Sequence, residues 1–148
     1  FSLASTKWDR MIQFGKKVEG TPMYMSPEQI RGEKCDPRTD IYSFGVMMYE
    51  LMTKRPPFMA SDPQKVLEKH CKERPAPMST IVPTVAPELD RLVMKLLEKN
   101  PDRRLPDMAA VMQELSRWIK QDTVVRLKQV VTGALQYEGA QEIASSTA

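Results

Sequence analysis

The residue types that carry most enzyme chemistry are few in this sequence, and they are not clustered. There is one histidine, His70, and the two cysteines, Cys35 and Cys71, lie far apart along the chain. These side chains are too few to supply the ligands of a zinc site. A disulfide and a reduced pair both remain open, and we favour a reduced, cytosolic pair. His70 falls on the apolar side of a predicted helix, which favours a packing role over a catalytic one.

Polar chemistry is instead concentrated in three short strings: residues 20–29 (GTPMYMSPEQ), 40–45 (DIYSFG) and 100–104 (NPDRR). In the first string, Ser26 is a good helix N-cap and Pro27 suits the first helical position, so a short helix is predicted to follow. The second string begins a helix predicted over 40–53. Its N-cap is expected at Thr39 or Asp40, and its end at the prolines that follow. Because this helix is apolar nearly all round, we expect it to be buried on all sides.

Three amphipathic helices are predicted after the central one. Ser61 and Gln64 form a capping-box pattern for the first. The second helix is predicted to begin at Pro87 and carries a leucine-rich stripe with helical spacing. The third helix is predicted to begin at Pro106. Residues 122–135 fit either a helix or a strand, and we favour a helix. From Gly139 onward the composition predicts a frayed tail. The expected fold is therefore mainly α, with no convincing strand.

The composition of the sequence excludes several classes of function. The 148 residues carry a net charge of only +3, and 41% of them are hydrophobic. This charge is too small and too scattered to indicate a nucleic-acid partner or an acidic membrane. The sequence also contains no apolar run long enough for a membrane span and no signal-peptide pattern. Since the chain begins with Phe1 and not Met, we expect it to be the later part of a longer protein.

The three strings, in this order and at this spacing, resemble the C-terminal half of a eukaryotic-type serine/threonine protein kinase domain of bacterial-like form. The resemblance covers 1 to about 119. It implies the helical C-terminal lobe of the kinase fold, incomplete because the N-terminal β lobe is missing. The implied parts are an activation segment (1–28), the helical lobe (29–119), and a C-terminal extension or linker (120–148).

The resemblance also assigns structural roles to individual residues. Glu28 lies where the family closes the activation segment, and Arg104 matches the arginine with which that glutamate forms a buried ion pair. Asp40 matches the aspartate that supports the backbone of the catalytic loop, although a plain N-cap would explain it too.

Two groups of residues in the activation segment receive roles from the same resemblance. Gly20, Thr21 and Pro22 match the loop that binds the substrate residue after the phosphorylated one, and a turn selected for its Gly and Pro is the alternative. Ser5 and Thr6 are possible phosphorylation sites, where a phosphate could order the segment through nearby basic side chains. An unmodified loop is the alternative that we favour there.

The kinase residues that bind ATP and start catalysis do not occur in the sequence. There is no Gly-rich loop, no His-Arg-Asp loop and no Asp-Phe-Gly aspartate, so we expect no catalytic residue and no metal site in this chain. ATP and Mg²⁺ are implied only for the complete domain. Phe1-Ser2-Leu3-Ala4 resembles the residues after that aspartate, with Ser2 where the family has glycine.

The resemblance implies a fragment of an enzyme that transfers the ATP γ-phosphate to Ser or Thr of protein substrates. We expect the chain alone to be inactive and to provide the activation segment and the peptide-substrate platform. Its expected partners are protein substrates and the missing N-terminal lobe, and its expected location is cytoplasmic. The alternatives are a pseudokinase-type protein-binding scaffold without phosphoryl transfer, suggested by Ser2, and a truncated product without function.

Overall fold

The computed structural model describes the backbone of residues 22–146 and most of their side chains. This part of the chain is helical and contains no strand, so the mainly α prediction is confirmed. Five α-helices are described: α1 (Pro27–Arg31), α2 (Pro37–Thr53), α3 (Pro63–Lys72), α4 (Pro87–Leu96) and α5 (Met108–Ser146). Three single-turn 3-10 helices lie at Pro22–Tyr24, Met78–Thr80 and Pro101–Arg103.

Proline marks the start of four of these helices. In α1, α2, α3 and α4 it occupies the first helical position, where its missing N–H removes no helical hydrogen bond. The N-cap is then the residue immediately before it. Ser26 caps α1 as predicted, Asp36 caps α2, and Asp62 caps α3.

Two of the predicted N-caps are therefore wrong. The central helix α2 begins at Pro37, three residues earlier than predicted. Its N-cap is Asp36, which accepts the N–H of Arg38 at 2.8 Å, and not Thr39 or Asp40. Likewise, Asp62 accepts the N–H of Gln64 at 2.9 Å, which displaces Ser61 from the predicted capping box. In both helices the N-cap is the aspartate directly before the proline.

The core forms where α2 packs against α4. The α2 side chains of Ile41, Tyr42 and Val46 are fully buried. Gly45 lies between them and allows close approach, since a Cβ placed there would come within 2.8 Å of the Leu96 Cβ. This glycine therefore sets the distance between the two helices.

The central helix is not buried on all sides, which corrects the prediction. Met47 is 47% exposed and Leu51 is 59% exposed, and Asp40 is exposed as well. Because these positions are spaced by about two helical turns and one helical turn, they form one solvent-facing stripe on α2. The apolar composition of the helix thus reflects two environments, one inside the core and one on its surface.

The chain divides into two compact units, one ending at Val111 and the other beginning at Met112. The sequence placed a boundary at 119–120 instead, and the three-part division remains a prediction. Residues 122–135 are helical within α5, as favoured above, but α5 continues to Ser146, so the frayed tail after Gly139 is wrong. Alanine, the strongest helix former, recurs in this stretch and is compatible with a helix.

Cys35 is exposed, Cys71 is buried, and the two form no disulfide with each other. The reduced state favoured for them stays a prediction. Of the helices in the described residues, none has both the length and the apolar character that crossing a membrane requires.

Candidate functional site

The segment 22–31 is fastened to the central helix by side-chain hydrogen bonds. Tyr24 donates its hydroxyl hydrogen to the Glu50 carboxylate, and Ser43 donates to the backbone carbonyl of Tyr24 at 2.8 Å. Both partners of Tyr24 lie on α2, so the 3-10 turn Pro22–Tyr24 is held against that helix at its backbone and at its side chain. The turn is thereby given a fixed position on a rigid element.

The following helix α1 is short but capped at both ends. The Ser26 hydroxyl accepts the N–H of Gln29 at 3.3 Å, and the Gln29 side chain accepts the N–H of Ser26 at 3.0 Å. At the other end Gly32 adopts a left-handed φ of 64°, which favours glycine. These caps allow a five-residue helix to keep Glu28 in one orientation.

Glu28 and Arg104 form a bidentate ion pair across 76 positions of sequence. Arg104 Nη1 lies 2.6 Å from Glu28 Oε1, and Nη2 lies 2.8 Å from Oε2. The side chain of Arg104 is 0% exposed, and that of Glu28 is 4% exposed. Thr39 donates a third hydrogen bond to Glu28 Oε1 at 3.0 Å. The carboxylate is therefore desolvated but well supplied with donors.

The Arg104 guanidinium uses all its hydrogen-bonding capacity. Besides the two bonds to the carboxylate, it donates to the backbone carbonyls of Arg38 at 2.8 Å, Glu98 at 2.8 Å and Lys99 at 3.3 Å. Five N–H groups thus meet five acceptors. Since Glu98 and Lys99 follow α4 and Arg38 lies in α2, one side chain joins α1, α2 and the loop after α4.

The electrostatic environment of Glu28 reflects these contacts. Burial acts to raise the pKa of its carboxyl, but the hydrogen bonds from Arg104, the Glu28 backbone and Thr39, with the charge of Arg104, outweigh burial. The pKa of Glu28 is consequently below its usual value, and the group is an anion at neutral pH.

A second buried polar cluster lies beside this ion pair and has no motif of its own. His70 is fully buried, its Nδ1 lies 2.9 Å from the Tyr42 hydroxyl, and its ring packs against Phe58. Burial, with a smaller contribution from the charge of Lys99, lowers the pKa of His70 to about 4. The packing role expected for His70 thus matches its position. Lys99, whose Nζ lies 4.4 Å from the centre of the Phe58 ring, was not predicted by any sequence signal.

An apolar cavity opens next to the 3-10 turn Pro22–Tyr24. It has a volume of about 300 Å³, and its walls come from the 3-10 turn, the loop before α3 and the first turns of α3: Met23, Phe58, Met59, Ala60, Ser61, Pro63 and Val66. A cavity of this size and lining can take one apolar side chain of an extended peptide.

The remaining predicted site residues are not brought into this arrangement. Asp40 is exposed on α2, and its side chain makes no hydrogen bond or ion pair with residues 22–146. Pro22 starts the 3-10 turn, whereas Gly20, Thr21, Ser5 and Thr6 lie outside the described residues. Within 22–146 there is no group of three or more acidic, histidine or cysteine side chains that could hold a metal ion.

The sequence of the chain is similar to those of known proteins. The family model described as protein kinase domain matches residues 4–118. The serine/threonine-protein kinase PknB of Mycolicibacterium smegmatis is 46% identical over 100 residues, which cover 68% of this chain and 16% of that protein. PknB of Mycobacterium leprae is 41% identical over 100 residues, 68% of this chain and 16% of its own length.

A further relative, the serine/threonine-protein kinase PksC of Streptomyces coelicolor, is 41% identical over 100 residues, 68% of this chain and 18% of that protein. The chain thus spans roughly a sixth of the length of the curated relatives that it matches. The family model covers far more than half of the chain, and the helices match a kinase lobe without its β-sheet. The chain therefore belongs to the protein kinase family, as the helical C-terminal part of a bacterial-type serine/threonine kinase domain.

Proposed function

We propose that this chain is the activation segment and peptide-substrate platform of a serine/threonine protein kinase. In the complete protein, the ATP γ-phosphate would pass to a Ser or Thr hydroxyl of a protein substrate, and residues outside this chain would bind ATP and Mg²⁺. The chain alone would bind substrate without transferring phosphate. The observation that carries the proposal is the ion pair of Glu28 with Arg104, which joins the end of the proposed activation segment to the helical lobe.

The geometry supports a platform in two ways. First, the turn Pro22–Tyr24 is held against α2 by the bonds of Tyr24 to Glu50 and Ser43, so a bound peptide would meet a preorganised surface. Second, the apolar cavity opens beside Met23, directly after the proposed substrate loop of Gly20, Thr21 and Pro22. We infer that this cavity accepts an apolar side chain of the substrate close to the phosphorylated residue.

Three roles remain proposals that rest on family resemblance. Asp40, exposed on α2, would support the backbone of a catalytic loop that belongs to another part of the protein. Thr21 would orient the substrate hydroxyl, and phosphorylation of Ser5 or Thr6 would order the activation segment.

A chimera tests the proposal. In the PknB of M. smegmatis, residues 4–118 of this chain would replace the matching stretch, and phosphate transfer from ATP to Ser- and Thr-containing peptides would be measured. We expect transfer to both hydroxyl residues, and a chimera with Arg104→Met should lose most of it. A folded chimera that binds peptides but transfers no phosphate would contradict the kinase function and favour the scaffold.

A further inference from the structure

Two adjoining cavities form a charged groove on the side of α4, formed by residues other than those of the peptide platform. Their volumes are about 480 and 190 Å³, and they share Arg74, Met94, Glu98 and Arg103. We call them together the basic groove, because six cationic side chains line it: Lys72, Arg74, Arg91, Lys95, Lys99 and Arg103. All of these residues lie in the first compact unit.

Four of the six cations make no ion pair within the described residues: three are exposed, and the fourth, Lys99, is partly buried and donates to the Tyr42 hydroxyl at 3.3 Å. Arg74, Lys95 and Arg103 are exposed and make no ion pair with any residue in the part of the chain that the structure describes. Arg91 and Lys72 form only exposed pairs, with Glu88 at 3.1 Å and Glu68 at 2.7 Å. Such exposed pairs are weak, so an acidic ligand can compete for these two cations.

Only two carboxylates line the basic groove, and one of them already accepts hydrogen bonds from neighbouring residues. Asp90 accepts the N–H of Met78 at 2.8 Å, the N–H of Ser79 at 3.3 Å and the Ser79 hydroxyl at 2.6 Å. Its charge therefore stabilises the loop before α4. Glu98 is the other carboxylate, and its side chain makes no hydrogen bond or ion pair with residues 22–146. Three exposed, unpaired cations thus face a single uncommitted anion within the described residues.

We propose that the basic groove docks an acidic, Asp- and Glu-rich peptide segment of a protein partner. Guanidinium groups pair with carboxylates through two parallel hydrogen bonds, and Arg74 and Arg103 are free to do so. Met94 and Pro77 provide an apolar surface for the peptide backbone between them. A single-stranded nucleic acid is the less favoured ligand, because no aromatic side chain for base stacking is among the described residues that line the groove.

This docking goes beyond the proposed function because it requires neither the cavity beside Met23 nor phosphate transfer. It would recruit a partner through an acidic segment separate from any phosphorylated residue. Since the contacts are exposed and ionic, affinity should fall as the salt concentration rises.

Binding of dye-labelled peptides to the full 148-residue chain, followed by fluorescence polarisation, tests the docking. One peptide alternates Glu with Gly, and a control peptide alternates Gln with Gly. We expect the acidic peptide to bind and the neutral one to bind at least about tenfold more weakly. The variant that removes the free cations carries Arg74→Gln, Lys95→Gln and Arg103→Gln. The control variant, with the same net charge, carries Lys34→Gln, Lys65→Gln and Lys120→Gln at exposed positions elsewhere.

The groove variant should bind the acidic peptide about tenfold more weakly than the control variant. In a separate protein, Glu98→Gln should tighten binding by about twofold, a gain that misfolding cannot produce. Equal losses in the two triple variants, or equal binding of the two peptides, would overturn the proposal. So would unchanged or weaker binding in Glu98→Gln. Binding to phosphatidylglycerol vesicles through the same three cations, without peptide binding, would replace it with a lipid surface.

Discussion

Replacing Arg104 with methionine should destabilise the chain strongly, because this side chain holds three separate parts of the lobe together. The substitution removes two hydrogen bonds to Glu28 and three to backbone carbonyls, all in a site where the arginine side chain is 0% exposed. It leaves the Glu28 carboxylate as a buried charge without its partner. Losing one member of a buried pair costs about 3–5 kcal/mol of the free energy of unfolding.

A double-mutant cycle separates the pair from the rest of the arginine's contacts. Glu28→Gln keeps the shape of the side chain and removes its charge, so we expect it to cost about 1.5–3 kcal/mol. In the double variant with Arg104→Met no buried charge is left, and the two effects should fall short of additivity by about 1–3 kcal/mol. Exchanging the two charges is a poorer test, because a carboxylate at position 104 would face the carbonyls of Arg38, Glu98 and Lys99.

The assay is urea unfolding followed by circular dichroism at one fixed protein concentration. Arg91→Met is the matched control, since Arg91 forms an exposed pair with Glu88 and its removal should cost at most about 1 kcal/mol. If Arg104→Met were as mild as Arg91→Met, or if the cycle showed no coupling, the reasoning about a buried, saturated pair would be refuted.

Three further perturbations follow from the fold. Gly45→Ala should cost about 1–3 kcal/mol in the same urea assay, because its Cβ would meet Leu96 at 2.8 Å, and an unchanged midpoint would contradict this packing. His70 has a folded-state pKa lowered to about 4 from 6.5, so its contribution is complete above pH 6.5 and is lost as the pH falls towards 4, by up to about 3 kcal/mol. His70→Gln, which removes the only histidine, should therefore make the fall in stability between these pH values shallower, leaving the contribution of carboxylates such as Glu28. A slope unchanged from that of the unsubstituted chain would refute the assignment. Because Met47 and Leu51 are apolar and exposed on α2, we expect the chain to self-associate through them. Met47→Gln with Leu51→Gln should then elute later in size-exclusion chromatography, whereas equal elution volumes would contradict a role for this surface.

The parts of the fold that local rules determine were predictable from the sequence. The helices after Ser26 and Pro87 follow from a cap, a proline and a leucine stripe, and all of these act within about two helical turns. The N-caps of α2 and α3 were misplaced because Ser, Thr and Asp at neighbouring positions are all acceptable caps. Proline at the next position decides between them, as Asp36 and Asp62 illustrate.

The site was predictable only where a motif linked distant residues. The partnership of Glu28 and Arg104 spans 76 positions, and no periodicity brings such residues together. The three backbone acceptors of Arg104 and the contact of Lys99 with Phe58 depend on how the loop after α4 folds back. Backbone carbonyls carry no sequence signal, so these contacts require the structure.

The exposed face of α2 shows the limit of composition. Met47 and Leu51 are apolar, which predicted burial, yet the described residues leave them on the surface. An apolar side chain favours burial, but its residue type does not identify the surface that covers it.

The most direct test of the peptide platform is the Michaelis constant for a peptide substrate in the PknB chimera with and without Ala60→Trp. Ala60 lines the apolar cavity beside Met23, so tryptophan there should fill it. Ala109→Trp, at an exposed position on α5, is the matched control. We predict that Ala60→Trp raises KM for the peptide about tenfold or more, with the KM for ATP unchanged and Ala109→Trp without effect. An unchanged peptide KM in Ala60→Trp would contradict the claim that this chain provides the substrate platform.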